Sequence, residues 1–289
     1  MFAFLHALHL GRVLLMDGAM GTQLQRAGIC EGECYEEWNL TRPDVVVGIH
    51  QAYVQAGAEV LLTNTLQANV PSLSRHGLAE RLGGIFEAGL RLARTAAPTG
   101  FVLADVGPSA NASDNEIEAM VRAVSAHASL ADGLLLETFS DLVQAEKIID
   151  ISRAFTDLPV LVSFTFDRRG ANEELQTFSR CTPKACGEFA RGMHVDALGV
   201  NCGRDMTLED YLEVIAAFKA ETSVPLFAKP NAGTPRRENG SWVYPNSPQM
   251  MADWLPVLLQ GGVQMVGGCC GTTPAHICAF REILATSPQ

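Results

Sequence analysis

The chain has 289 residues, room for two small domains or one large barrel, and its 47% hydrophobic and 18% charged content is too apolar for disorder. Its net charge is −11 and its 21 basic residues form no cluster, which argues against a phosphate-tracking groove and so against a nucleic-acid partner. No apolar run reaches the ~18 residues that a membrane helix needs.

The opening segment Met1–Leu10 is apolar but lacks a basic start and a small-residue cleavage site. It reads as a tag remnant or a short packing segment, not as a signal peptide. Without a secretory signal, the eight cysteines read as thiols in a reducing, cytoplasmic setting. From there a short apolar run followed by an amphipathic stretch recurs along the chain. The runs are Arg12–Met16, Glu59–Thr63, Phe101–Val106, Gly133–Glu137, Pro159–Thr165, Ala197–Asn201, Pro225–Lys229 and Gln264–Gly268. Each is continuous and rich in Val or Leu, as a strand buried on both faces should be.

The intervening stretches carry helix signals. Thr182-Pro183, Ser247-Pro248 and Thr273-Pro274 each pair a capping hydroxyl with proline at the first helical position. Thr207 and Asp210 form a variant capping box, and Gly57, Gly192 and Gly261 sit where helices would stop. Eight strand–helix units of about 36 residues predict a (β/α)8 TIM barrel in one domain, residues 1–289. A doubly wound open sheet is the alternative, but its glycine-rich fingerprint after the first strand is missing.

A barrel of this kind places chemistry at the carboxyl ends of its strands. Those exits read Asp17-Gly18, Thr63-Asn64, Asp105, Glu137-Thr138, Thr165, Asn201-Cys202, Lys229-Pro230-Asn231 and Cys269-Cys270. Cys202 follows the sixth strand and Cys269-Cys270 the eighth, so the three sulfurs are able to meet near the axis. Three thiolates with one tetrahedral position left open suit catalytic zinc. Glycines around the pair (Gly267, Gly268, Gly271) give its backbone freedom. The competing readings are a packing thiol at Cys202 and a vicinal disulfide at Cys269-Cys270. Cys30 and Cys34 have a metal-knuckle spacing without a matching pair nearby, and Cys181 and Cys186 would join them only if the loops met. Cys278 reads as core. His50, His127, His194 and His276 fall on helices, where surface or packing roles are the default.

The segments Asp17–Gln25, Thr63–Thr65, Leu134–Asp141, Gly199–Gly203, Lys229–Gly233 and Gly267–Ile277 occur in order. Together they resemble the homocysteine S-methyltransferase family over nearly the whole chain. That family includes the homocysteine module of cobalamin-dependent methionine synthase and betaine–homocysteine methyltransferase. The resemblance implies Zn2+ on Cys202, Cys269 and Cys270, with homocysteine as methyl acceptor and methionine as product. It also implies that Asp17 and Glu137 hold the amino acid end, Glu137 facing the ammonium, while Asn64 and Asn231 line the pocket or fix its loops. Read alone, Asp17 has the alternative of a turn-forming Asp-Gly, and Glu137 that of a helix-start charge near Ser140. Leu175–Arg180 and Thr65–Asn69 depart from the family pattern, so the acceptor loop or donor approach differs there.

The segments Asp17–Thr22, Trp38–Asp44 and Thr63–Thr65 look more like the cobalamin- and betaine-linked branches. The chain ends soon after its last helix, where animal betaine enzymes continue. A corrinoid carrier on a separate protein is therefore the expected methyl source, with betaine or S-methylmethionine as alternatives. Rival readings are another thiol acceptor and a non-catalytic zinc-binding subunit.

Overall fold

The computed structural model describes residues 3–109, 111–170, 173–238 and 241–286. All eight apolar runs are strands: Leu14–Leu15, Val60–Leu62, Phe101–Val106, Gly133–Phe139, Val160–Phe164, Ala197–Asn201, Leu226–Lys229 and Val263–Val266. They pair in parallel, each with its sequence neighbours, and the eighth pairs with the first through Leu14–Met265 and Leu15–Val266. A Met16–Val60 bridge joins the first strand to the second and closes the ring. This is the (β/α)8 TIM barrel that the alternation predicts. Among the described residues, no helix is long and apolar enough to cross a membrane.

Side chains alternate across each strand, so every strand faces both the axis and the helices. One apolar cluster of Leu14, Met16, Leu62, Leu103, Leu135, Leu161, Phe227 and Met265 fills the axis, and a larger one lies between strands and helices. Gly199 makes the axial packing possible: a Cβ there would stand 2.3 Å from the Phe227 ring. The helix Ala3–His9 stoppers the bottom of the barrel. Its Phe4 and Leu8 are fully buried in the axial cluster, and Phe4 packs edge-on against Phe101 at 5.3 Å. The part of Met1–Leu10 within the described residues is therefore a packing segment; Met1 and Phe2 lie outside them.

Thr182 and Ser247 cap their helices through the amides of Ala185 and Met250, and Thr207 with Asp210 completes a reciprocal capping box. At Thr273 the partner is different: His276 Nδ1 accepts from the Thr273 amide at 3.1 Å. Of the expected stops, Gly57 adopts the left-handed cap conformation at φ 113°, but Gly192 and Gly261 are the last helical residues. Gly262 takes the second left-handed cap, at φ 108°. Two short antiparallel hairpins, absent from the sequence expectation, pair Asp167–Arg169 with Glu174–Gln176 and Arg236–Glu238 with Ser241–Val243. They follow the fifth and seventh barrel strands, at the carboxyl end of the barrel.

Candidate metal and substrate site

Two residues beyond the axial leucines and Phe227, the same strands present Asp105, Glu137, Ser163 and Lys229, all buried. The period of two thus changes the axis from apolar to charged in one step. Asp17, at the end of the first strand, joins them and accepts from the Leu62 amide through Oδ2 at 2.8 Å. Lys229 Nζ donates to Glu137 Oε1 at 2.7 Å and stands 3.9 Å from Asp17 Oδ1. Burial pushes Asp17 up to about 7 against the pull of Lys229, and raises Asp105 and Glu137 as well. Burial works against the Lys229 ammonium, but Glu137 and Asp17 outweigh it and raise its pKa.

The three cysteines lie beside this cluster. Cys202 and Cys270 place their sulfurs 4.0 Å apart, and the sulfurs of Cys202, Cys269 and Cys270 all lie within 4.8 Å of one another. The seventh strand's exit brings them together by bonding to both cysteine loops. Lys229 O accepts from Cys202 N at 3.2 Å, Pro230 O accepts from Cys269 N at 2.8 Å, and Ala232 N donates to Cys270 O at 2.9 Å. Cys202 adopts a left-handed φ of 58°, an uncommon conformation for a residue with a side chain. The Tyr211 hydroxyl holds that turn by donating to Cys202 O at 2.6 Å.

The glycines around the pair act in two ways. Gly271 has the left-handed φ of 82° and abuts the Tyr244 ring, where a Cβ would fall 2.1 Å from the ring. Gly268 is needed for close approach, since a Cβ there would stand 2.4 Å from Thr272 Oγ1.

A tetrahedral metal with 2.3 Å bonds to sulfur spaces its ligands about 3.8 Å apart, close to the 4.0 Å between Cys202 and Cys270. The electrostatics agree. Thiol hydrogen bonds from Cys269 and Cys270 hold Cys202 well below the usual thiol range, whereas Cys269 and Cys270 are raised, each mainly by its hydrogen bond with the Cys202 sulfur. One negative charge is thus readily carried by the trio; three thiolates need a cation among them. Two amides support negative sulfur: Asn231 Nδ2 donates to Cys202 Sγ at 3.6 Å and Asn201 Nδ2 to Cys269 Sγ at 3.8 Å. Among the described residues no carboxylate, histidine or further cysteine joins the trio, leaving room for an outside ligand. The residues present fit a zinc ion.

A cavity of about 480 Å³ reaches from Cys269 and Cys270 past Asp17, Asp105, Glu137 and Lys229 toward Tyr35. Asn64 borders it, but its amide is spent on loops, donating to Tyr35 O at 2.9 Å and Asn39 Oδ1 at 3.1 Å. Asn231 also bonds to Gly203 O at 2.9 Å, while its Oδ1 is buried without a partner among the described residues. Asn201, to which the sequence assigned no role, is fully buried. Its amide spans Thr138, Ser163 and Cys269, and it braces the left-handed Thr138 at φ 65°. Lys229 and Asp105 were visible at strand exits, but nothing in the sequence showed them facing Glu137. Their signal was a charge inside an apolar run.

The remaining thiols stay apart from the trio. Cys34 is buried against Glu36 Oε2 at 3.5 Å and pushed up to about 11, mainly by burial. Cys186 is fully buried, and Cys30 and Cys181 enter no three-ligand group among the described residues. Cys278 is only half-buried and receives the Arg281 guanidinium at 3.4 Å, so it sits at the edge of the core. His50 is fully buried, with neither ring nitrogen partnered among the described residues, and burial holds it down to about 4.

A family model for homocysteine S-methyltransferases matches residues 14–284. Methionine synthase from Mycobacterium tuberculosis is 31% identical over 95% of this chain, and that of Mycobacterium leprae is also 31% identical. The chain spans 24% of the length of either relative. Among solved structures, the metallated form of the homocysteine methyltransferase MmuM from Escherichia coli superposes with a TM-score of 0.75 at 26% identity. That match covers 95% of this chain and 96% of MmuM. Its oxidised form gives 0.74 at 25% identity, covering 93% and 95%.

Proposed function

Because the chain belongs to the homocysteine S-methyltransferase family, we propose that it is a single barrel domain that methylates homocysteine to methionine with the help of zinc. The convergence of three cysteine sulfurs on one point beside a carboxylate-lined cavity carries this reading. Cys202, Cys269 and Cys270 would hold the ion, which when bound supplies Lewis acidity that lowers a thiol's pKa from near 8.5.

The chain's own residues do the rest. Asp17 and Glu137 mark the end of the cavity that receives the amino acid group of homocysteine, leaving its sulfur to reach the cysteines. Asn231 and Asn201 donate to cysteine sulfur and spread its negative charge. Asn64 fixes the Tyr35 loop against the second strand's exit. The apolar plug beneath the charged layer closes the cavity from below and excludes water on that side.

The methyl donor proposed is a corrinoid, in a reducing, cytoplasmic setting. The identity with methionine synthases and the cobalamin-like motifs support it. Zinc-loaded protein assayed with homocysteine and, in turn, methylcobalamin, betaine and S-methylmethionine tests the reading through methionine formed. Turnover with methylcobalamin supports the corrinoid donor, turnover with another donor replaces it, and metal-independent or absent turnover contradicts the proposed function.

A further inference from the structure

Asp17, Asp105, Glu137 and Lys229 are 3%, 4%, 5% and 3% exposed, so three carboxylates share one ammonium away from bulk water. Two of the carboxylates are already held: Asp17 by the Leu62 amide and Glu137 by Lys229. Asp105 is placed differently. Its N–H donates to Thr63 Oγ1 at 2.9 Å and its C=O accepts from Thr65 Oγ1 at 2.6 Å, which fixes its backbone. Its carboxylate borders the cavity but accepts no hydrogen bond from the described residues, and its Oδ1 is wholly buried. Buried polar groups in folded proteins ordinarily have partners, so a fixed and unpartnered carboxylate on a cavity wall calls for a ligand that donates. Asp17 Oδ1 likewise accepts no hydrogen bond among the described residues, although Lys229 Nζ stands 3.9 Å from it.

Resting on the reading of this cavity as the homocysteine site, we propose that Asp105 is a specificity-determining residue that accepts a hydrogen bond from the acceptor's ammonium, beside Asp17. Lys229 occupies one oxygen of Glu137, so Glu137 alone is a weakened partner for a second cation. Asp105 supplies the acceptor that this ion pair takes away. One primary ammonium also offsets the excess of negative charge around Lys229. A thiol without an amine leaves Asp105 buried and unpaired, and sites built to hydrogen-bond a group strongly reject analogues that lack it.

The test is calorimetric titration of zinc-loaded native and Asp105→Asn protein with three thiols. Homocysteine carries both amine and carboxylate, 3-aminopropanethiol lacks the carboxylate, and 4-mercaptobutanoate lacks the amine. Asp105→Asn should weaken both amine-bearing thiols by roughly ten- to a hundredfold and leave 4-mercaptobutanoate nearly unchanged. An equal loss on all three, or no loss on the amines, overturns the proposal. If Asp105→Asn does not fold, Asp105→Ser keeps both threonine bonds to the backbone and reads the same ratios. If the native protein binds the aminothiol through Asp105 but not homocysteine, the homocysteine assignment falls and the role of Asp105 stands. If it binds neither amine, both fall.

Discussion

At the bottom of the barrel Leu103, Leu135 and Phe227 fill the axis; two residues further along the same strands, Asp105, Glu137 and Lys229 face one another at the mouth. The lower layer is closed by Phe4 and Leu8 and gains from every apolar surface it removes from water. The upper layer loses hydration for four charged groups and holds three sulfurs around a left-handed Cys202. The barrel thus separates its tasks along the strand, with the lower layer stabilising a mouth that is costly to fold. Substitutions at the two ends should therefore fail in different ways.

The largest expected effect is at the mouth. Cys270→Ala should remove bound zinc and homocysteine-dependent turnover together, turnover falling below about a hundredth of native, while the circular dichroism of the fold is kept. Metal analysis alongside the assay checks this, and retained turnover in metal-free mutant protein would break the division between the two ends. At the bottom, Phe4→Ala should cost about 3–5 kcal/mol of stability in urea unfolding. Folded Phe4→Ala protein should keep its turnover; lost activity without lost stability would blur the comparison.

Asp17 gives the mouth a dependence on pH. Burial raises its carboxyl from 3.8 to about 7, so the metal-free folded state holds that proton more tightly than the unfolded chain does. The associated stability is fully present below about pH 4 and is lost as pH rises to about 7, up to about 4 kcal/mol in all. Metal-free Asp17→Asn should therefore gain on the native protein across that window, read by urea unfolding at successive pH values. Parallel curves would show that Asp17 is not desolvated. The smallest effect belongs to Tyr211→Phe, which removes the hydroxyl that holds the Cys202 turn and should cost about 1 kcal/mol, seen as a small shift in the urea midpoint.

The strands were legible because each is apolar on both faces, and so was the exit position of every cysteine in the trio. The pairing of Asp167–Arg169 with Glu174–Gln176 was not, since these short strands are polar but for the buried Leu175 and too brief to show a period. The stop at Gly262 was missed by one residue because Gly261 and Gly262 are adjacent and only backbone geometry tells which turns left-handed. The pairing of Lys229 with Glu137 joins segments 92 residues apart and depends on the register of three intervening strand pairs. The convergence of Cys202 with Cys270 depends on hydrogen bonds from the Lys229–Ala232 segment that no spacing reveals.

The proposed function requires that Cys202, Cys269 and Cys270 leave one metal position for the acceptor's sulfur. X-ray absorption at the zinc edge of loaded protein tests it most directly. Three sulfur ligands near 2.3 Å are expected in the resting protein and four once homocysteine is added. A sulfur count that stays at three in saturating homocysteine would contradict it.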